Sequence, residues 1–273
     1  MISELALLTV LTVILLSVGF VLGGVIGTGV ALIFAVLINF GSYWYSDKIV
    51  LRMYRAKPYD NKDVKEMVAE LAQEAEIPEP ALYFVDTQVP NAFATGRGPG
   101  HAAVAVTKGI LELDKEELRG VLAHELSHVK NRDTLISTMA ATIAGAISFL
   151  AQIGYFSLFF GGERKGEGNI IGLILILVFA PIAALLVRLA ISRSREYKAD
   201  LTGAMMTKKP EYLASALRKI HETARSYPIK GSAATSHLWI VNPFKRDWFI
   251  GMFSTHPPVE KRIARLEELD SKK

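Results

Sequence analysis

The sequence predicts a mainly helical, multi-span membrane protein with a small β-sheet or hairpin and an α+β cytoplasmic domain. Three observations predict that class. No charged residue occurs from Leu5 to Ser46, 42 positions in a row, and two more uncharged stretches follow, Thr134–Gly162 (29 residues) and Gly168–Val187 (20 residues). Mean hydropathy is +0.28 although 21% of the residues are charged, so apolar and polar content are segregated along the chain. Finally, His124-Glu125-Leu126-Ser127-His128 falls inside a segment with the apolar spacing of one amphipathic helix.

The first apolar stretch, as one helix, would measure about 63 Å, roughly two crossings of a ~30 Å hydrocarbon core. Gly23, Gly24, Gly27 and Gly29 cluster midway, which predicts spans Leu5–Leu22 and Val30–Tyr45 around a turn, with Trp44 and Tyr45 at the interface. There is no basic n-region, and the stretch is too long for a cleaved signal peptide. The later stretches, parted by the polar loop Glu163–Glu167, are each long enough to span; Thr134–Gly162, rich in Ser, Thr, Ala and Gly, is open to shielding by protein or to lying partly out of the lipid.

Basic residues flank the spans: Lys48, Arg52, Arg55 and Lys57, then Lys130 and Arg132, then Arg188, Arg193, Arg195 and Lys198. The 161–168 loop has only Arg164 and Lys165, offset by Glu163 and Glu167. The positive-inside rule therefore places both termini and the 124–128 pentad in the cytoplasm. These flanks account for the net charge of +4, and no basic stripe with interleaved aromatics points to nucleic acid. Zero cysteines removes disulfides and thiolate ligands.

The chain thus divides into an apolar hairpin (1–45), the first part of a soluble domain (46–133), a second apolar hairpin (134–191) and the second part of that domain (192–273). The soluble parts total about 170 residues, enough for one core. Asp60-Asn61 caps a helix through Val64, Met67, Val68, Leu71 and Ala72. Ala81–Val85 alternates like a strand. Asn91–Gly96 and Ala102–Val106 flank a glycine- and proline-rich turn and read as a hairpin. Asp114 with Glu117 forms a capping box for the pentad helix, whose apolar face includes Leu118, Val121, Leu122 and Val129. Ser226–Thr255, with Trp239, Phe244, Trp248 and Phe253, has little helical period and reads as a lid, an interfacial loop or a gating flap. A last helix opens after His256 with Pro257-Pro258 and continues through Val259, Ile263 and Leu266.

Histidines four apart lie on one helical face, close enough to grip a single metal ion. Glu125, about 100° round the axis from His124, can face a water on that ion. A catalytic zinc site needs a third protein ligand and an open position. Without cysteine the candidates are His101, His221, His237, His256 or a carboxylate. The segment Ser194-Arg195-Glu196-Tyr197-Lys198-Ala199-Asp200 is the best source, with Glu196 and Asp200 on one helix face. One carboxylate can ligate while the other accepts the free N–H of a ligand histidine. The alternative is a solvated pair balanced by Arg195 and Lys198.

Together, the apolar hairpins, Asn91-Ala92-Phe93-Ala94-Thr95-Gly96, HELSHVKNRD at 124–133, SREYKAD at 194–200 and Thr255-His256-Pro257-Pro258 resemble the HtpX-type membrane zinc metalloproteases, relatives of the CAAX prenyl endopeptidases. The resemblance covers essentially the whole chain. It implies a zincin-like catalytic domain and one Zn2+ per chain held by His124, His128 and Glu196, with Asp200 as a supporting neighbour. It also implies His256 as a donor to the developing oxyanion, with Arg262 supporting it or the substrate. His256 beside a helix start is the plainer reading, and His237 competes for the same role.

Glu125 is the expected general base and later hands its proton to the leaving amine. Asn91, Ala92, Phe93, Ala94 and Thr95 are implied to form an exposed edge strand that pairs with extended protein substrates; the alternative is a strand covered by the 227–255 segment. The leading expectation is an integral endopeptidase of the prokaryotic plasma membrane, cleaving misfolded or damaged membrane proteins and cytosolic ones. The alternatives are a CAAX-type prenyl-protein endopeptidase and a non-catalytic, zinc-stabilised scaffold or chaperone.

Overall fold

In the computed structural model, residues 4–139, 193–226, 240 and 257–271 are described. Helix α1 (Glu4–Met53) carries the first apolar stretch. Drawn straight it would be about 75 Å long, yet Asn39 Nδ2 donates to Thr12 Oγ1 at 2.9 Å across 27 residues. The helix therefore doubles back. Gly24 makes the reversal with φ +56°, a conformation that costs glycine little. The expected loop is thus a single residue, because helical hydrogen bonding resumes at once on both sides. Among the described residues, one stretch is long and apolar enough to cross a membrane, Gly24–Tyr45, with mean hydropathy 2.1, and it contains the expected Val30–Tyr45 span.

Past Tyr45 the same helix leaves the apolar stretch without a break. Its end packs Val50 and Leu51 against one face of a four-stranded sheet, through Val85, Phe93, Ala103 and Ala105. Tyr54 follows, its ring centroid 5.0 Å from that of Phe93. The strands are β1 (Lys57–Pro58), β2 (Ala81–Val85), β3 (Ala92–Gly96) and β4 (Ala102–Thr107), in the order β1-β2-β4-β3. β3 and β4 form the expected antiparallel hairpin, with Gly96 opposite Ala102. β2 runs parallel to β4.

Side chains alternate between the two faces of the sheet. Ala92, Ala94, Val104 and Val106 face the main core with Leu71, Val121, Leu122, Leu126, Leu217, Ile220 and Leu266. Around that core stand α2 (Lys62–Glu74), α3 (Lys115–Lys130), α4 (Arg193–Thr207), α5 (Pro210–Ser226) and α6 (Val259–Ser271). α2 buries the face read from its sequence, and Asn61 Oδ1 accepts from the Val64 amide at 3.1 Å. The Asp114–Glu117 capping box is formed at the start of α3.

A short helical stem at 133–139 follows α3. Of the expected second apolar hairpin (134–191), residues 140–191 lie outside the described residues. So does the 227–256 segment, with His237 and His256, except for Ile240. α4 nonetheless returns directly onto α3, so the elements before residue 140 and those after residue 192 share one core.

Candidate active site

Helix α3 presents His124, Glu125 and His128 from the middle of the core, and all three are largely shielded from solvent. Opposite them, α4 presents Glu196, Asp200 and Gly203, one helical face at spacings of four and three. The absence of a side chain at position 203 sets how close the two helices lie. A Cβ there would fall 3.0 Å from the His124 backbone nitrogen and 3.1 Å from the Ala123 carbonyl carbon.

This approach brings Glu196 Oε2 to 3.7 Å from His124 Nε2, and its Oε1 to 3.6 Å from His128 Nε2. One ligand atom from each of His124, His128 and Glu196 lies within 4.8 Å of the others. The imidazoles stand nearly perpendicular, at 87°, with centroids 4.8 Å apart. Two imidazole nitrogens and one carboxylate, with the far nitrogen of each ring already held by another acid, fit a catalytic divalent site and suit zinc.

The far nitrogens face carboxylates. Asp200 Oδ1 lies 3.0 Å from His124 Nδ1. Asp200 is itself gripped by Arg262, whose Nε donates to Oδ2 at 2.9 Å and whose Nη2 donates to Oδ1 at 2.6 Å. Burial alone would raise the Asp200 carboxyl, but the guanidinium and the hydrogen bond from His124 hold it well below the usual carboxylate range. Arg262 is fully buried on α6, its Nη1 3.9 Å from Glu196 Oε2. It braces Asp200 beside His124.

His128 has an equivalent partner that the sequence reading missed, Asp133, whose Oδ2 lies 3.4 Å from Nδ1. Burial opposes the charged imidazole, but the bond to Asp133 and the nearby Glu196 and Glu125 carboxylates push its pKa up to about 9. Glu125 faces the sheet: its Oε2 accepts from the Ala94 amide at 3.0 Å.

β3 does stand at the edge of the sheet, as expected, but it is not exposed. Asn91, Ala92, Phe93, Ala94 and Thr95 are all buried. The α1 end covers one face at Phe93, and Glu125 caps the outward amide of Ala94. Thr95 Oγ1 lies 3.1 Å from Thr138 Oγ1 on the 133–139 stem, and Asn91 Oδ1 accepts from the Ile240 amide at 2.9 Å. Of the other histidines, His101 is exposed in the β3–β4 connection and His221 sits on α5, with Nε2 3.8 Å from Glu260. His101 and His221 are not among the residues gathered here.

Residues 58–270 match the model of peptidase family M48. A protease HtpX homolog of Aquifex aeolicus is 54% identical over 270 residues, 95% of this chain and 89% of that protein. One from Pyrococcus furiosus is 52% identical, over 96% of this chain and 93% of that protein. The crystal structure of S. mikatae Ste24p superposes with a TM-score of 0.49 at 19% identity, over 86% of this chain and 56% of that one. With a His-His-Glu donor set and a glutamate beside it, at the centre of the matched region, the chain belongs to peptidase family M48 and is a metalloendopeptidase of the HtpX type.

Proposed function

We propose that this chain is an integral membrane zinc endopeptidase that cuts membrane proteins, and cytosolic ones, in extended conformation. The observation that carries the reading is the convergence of His124, His128 and Glu196 beside a buried Glu125. One zinc ion per chain would be held by those three side chains. A zinc ion supplies a Lewis acid that lowers the pKa of water towards ~7 and polarises a carbonyl.

The chain's own residues do the rest. Glu125 takes a proton from the attacking water and returns it to the leaving amine. Asp200, braced by Arg262, keeps the His124 proton on Nδ1, so that Nε2 presents a lone pair towards Glu196. His256 is retained as the donor to the developing oxyanion. Substrate pairs with β3 by main-chain hydrogen bonds once the edge at Ala94 is released from Glu125. Such pairing reads little side-chain identity, which suits the removal of misfolded or damaged proteins.

For topology we infer two crossings from the arms of α1 and two more from 134–191, with both termini and the catalytic domain on the cytoplasmic side of a prokaryotic plasma membrane. The basic flanks and the Gly24–Tyr45 span support this. The test is casein degradation by the detergent-solubilised chain. Degradation that a chelator blocks and zinc restores is the expected result; a chain that binds zinc but cuts nothing would overturn the proposal.

A further inference from the structure

The site contains the same three-residue arrangement twice. In the first, His124 Nδ1 meets Asp200, and Asp200 meets Arg262. In the second, His128 Nδ1 meets Asp133 Oδ2 at 3.4 Å, and Asp133 Oδ1 lies 4.0 Å from Arg195 Nη1. Both aspartates are buried. A buried carboxylate persists only with compensating partners, and each one here has an imidazole on one side and a guanidinium on the other.

Asp133 reaches its place by a break in the chain. Were α3 to continue, residue 133 would lie five positions past His128, about 140° round the axis, and could not touch the ring. Instead α3 ends at Lys130, and Arg132 takes φ +59°, a left-handed conformation that is uncommon outside glycine. That reversal swings Asp133 back beside His128. The partner guanidinium comes from Arg195, adjacent to Glu196 on α4. Asp133 and Arg195 therefore stand where the chain leaves the soluble core and where it returns.

We propose that Asp133, backed by Arg195, is the positioning residue for His128. It holds the proton on Nδ1 and turns Nε2 towards Glu196, 3.6 Å away. The inference rests on the reading of His128 as a metal ligand and assigns it a support outside the 124–128 pentad.

The test is zinc affinity of the detergent-solubilised full chain, measured by competition with a chromophoric chelator. Asp133→Ala is expected to bind zinc about 10- to 100-fold more weakly, the usual cost of removing such a support. Asp133→Asn, which keeps an acceptor oxygen, is expected to restore most of that loss. In the Co2+-substituted protein the visible band of Asp133→Ala should change shape and that of Asp133→Asn should not. Wild-type affinity and an unchanged cobalt spectrum in Asp133→Ala would overturn the proposal. So would an equal loss on adding Asp133→Ala to His128→Ala, since a positioning role requires the ring. A wild-type chain that binds no zinc would instead overturn the metal reading, and this inference with it.

Discussion

Arg262 and Asp200 form a two-pronged ion pair in the interior, with Nε to Oδ2 at 2.9 Å and Nη2 to Oδ1 at 2.6 Å. Removing one partner of such a pair leaves an uncompensated buried charge, at a cost of about 3–5 kcal/mol. Arg262→Met should therefore lower the thermal midpoint of the ion-free protein markedly. Arg262→Lys should recover part of the loss, because an ammonium cannot reproduce the fork. Thermal unfolding followed by circular dichroism checks both, and a wild-type midpoint in Arg262→Met would refute the account.

In the proposed mechanism Glu125 moves a proton and does not ligate, so its removal should separate binding from turnover. Glu125→Gln keeps an oxygen for the Ala94 amide and should retain about one zinc per chain. Peptide cleavage should fall at least about 10²-fold, the lower end of what a general base contributes. Metal analysis beside a fluorogenic peptide assay measures the two quantities on one preparation.

The protonation of His128 sets the pH dependence of metal uptake. Its pKa in the ion-free protein is pushed up to about 9, so at pH 7 an incoming ion must expel a proton. Zinc affinity should rise about tenfold per pH unit from pH 7 and level off above about 9. For the ion-free chain the sign is opposite. The stability gained from the charged ring is complete below its ordinary 6.5 and is lost as pH rises through about 9. Chelator competition and thermal melts at several pH values test the two slopes together.

At Gly203 the expectation is steric. A methyl group there meets the α3 backbone at 3.0–3.2 Å, so the two helices must part by a few tenths of an ångström to admit it. Gly203→Ala should cost about 1–3 kcal/mol, the range for overpacking, and should weaken zinc binding by moving Glu196 away from the imidazoles. Gly203→Val should do more of both. Isothermal zinc titration of a folded Gly203→Ala protein with wild-type affinity would contradict this.

Much of the site was legible because it is local. The pentad, its capping box and the 196–200 pair are helix-periodic features, and the structure brings the pentad and the pair together. The β3–β4 hairpin was legible for the same reason, as its turn residues stand in sequence between two strands. The β2–β4 parallel pairing was not, since nothing in either strand's alternation encodes a partner across a crossover. Nor was the burial of β3, which depends on side chains from α1, α3 and the 133–139 stem converging on it. Asp133 escaped because helical spacing points it away from His128, and only the left-handed Arg132 reverses that. Gly24 was recognised as part of a turn, but a one-residue reversal inside continuous helix has no periodicity of its own.

One further consequence follows from the unbroken run of α1 through Tyr45 to Met53. Val50, five residues past the end of the apolar arm and thus about 7–8 Å along the axis, is already wedged under the sheet. Phe93 sits on that wedge, and its neighbour Ala94 touches Glu125. With Gly24–Tyr45 in the bilayer, as proposed, the reacting carboxylate stands on a stiff post instead of swinging from a tether. Its height above the lipid surface is fixed by helix rise, so a polypeptide must thread to that level to be cut.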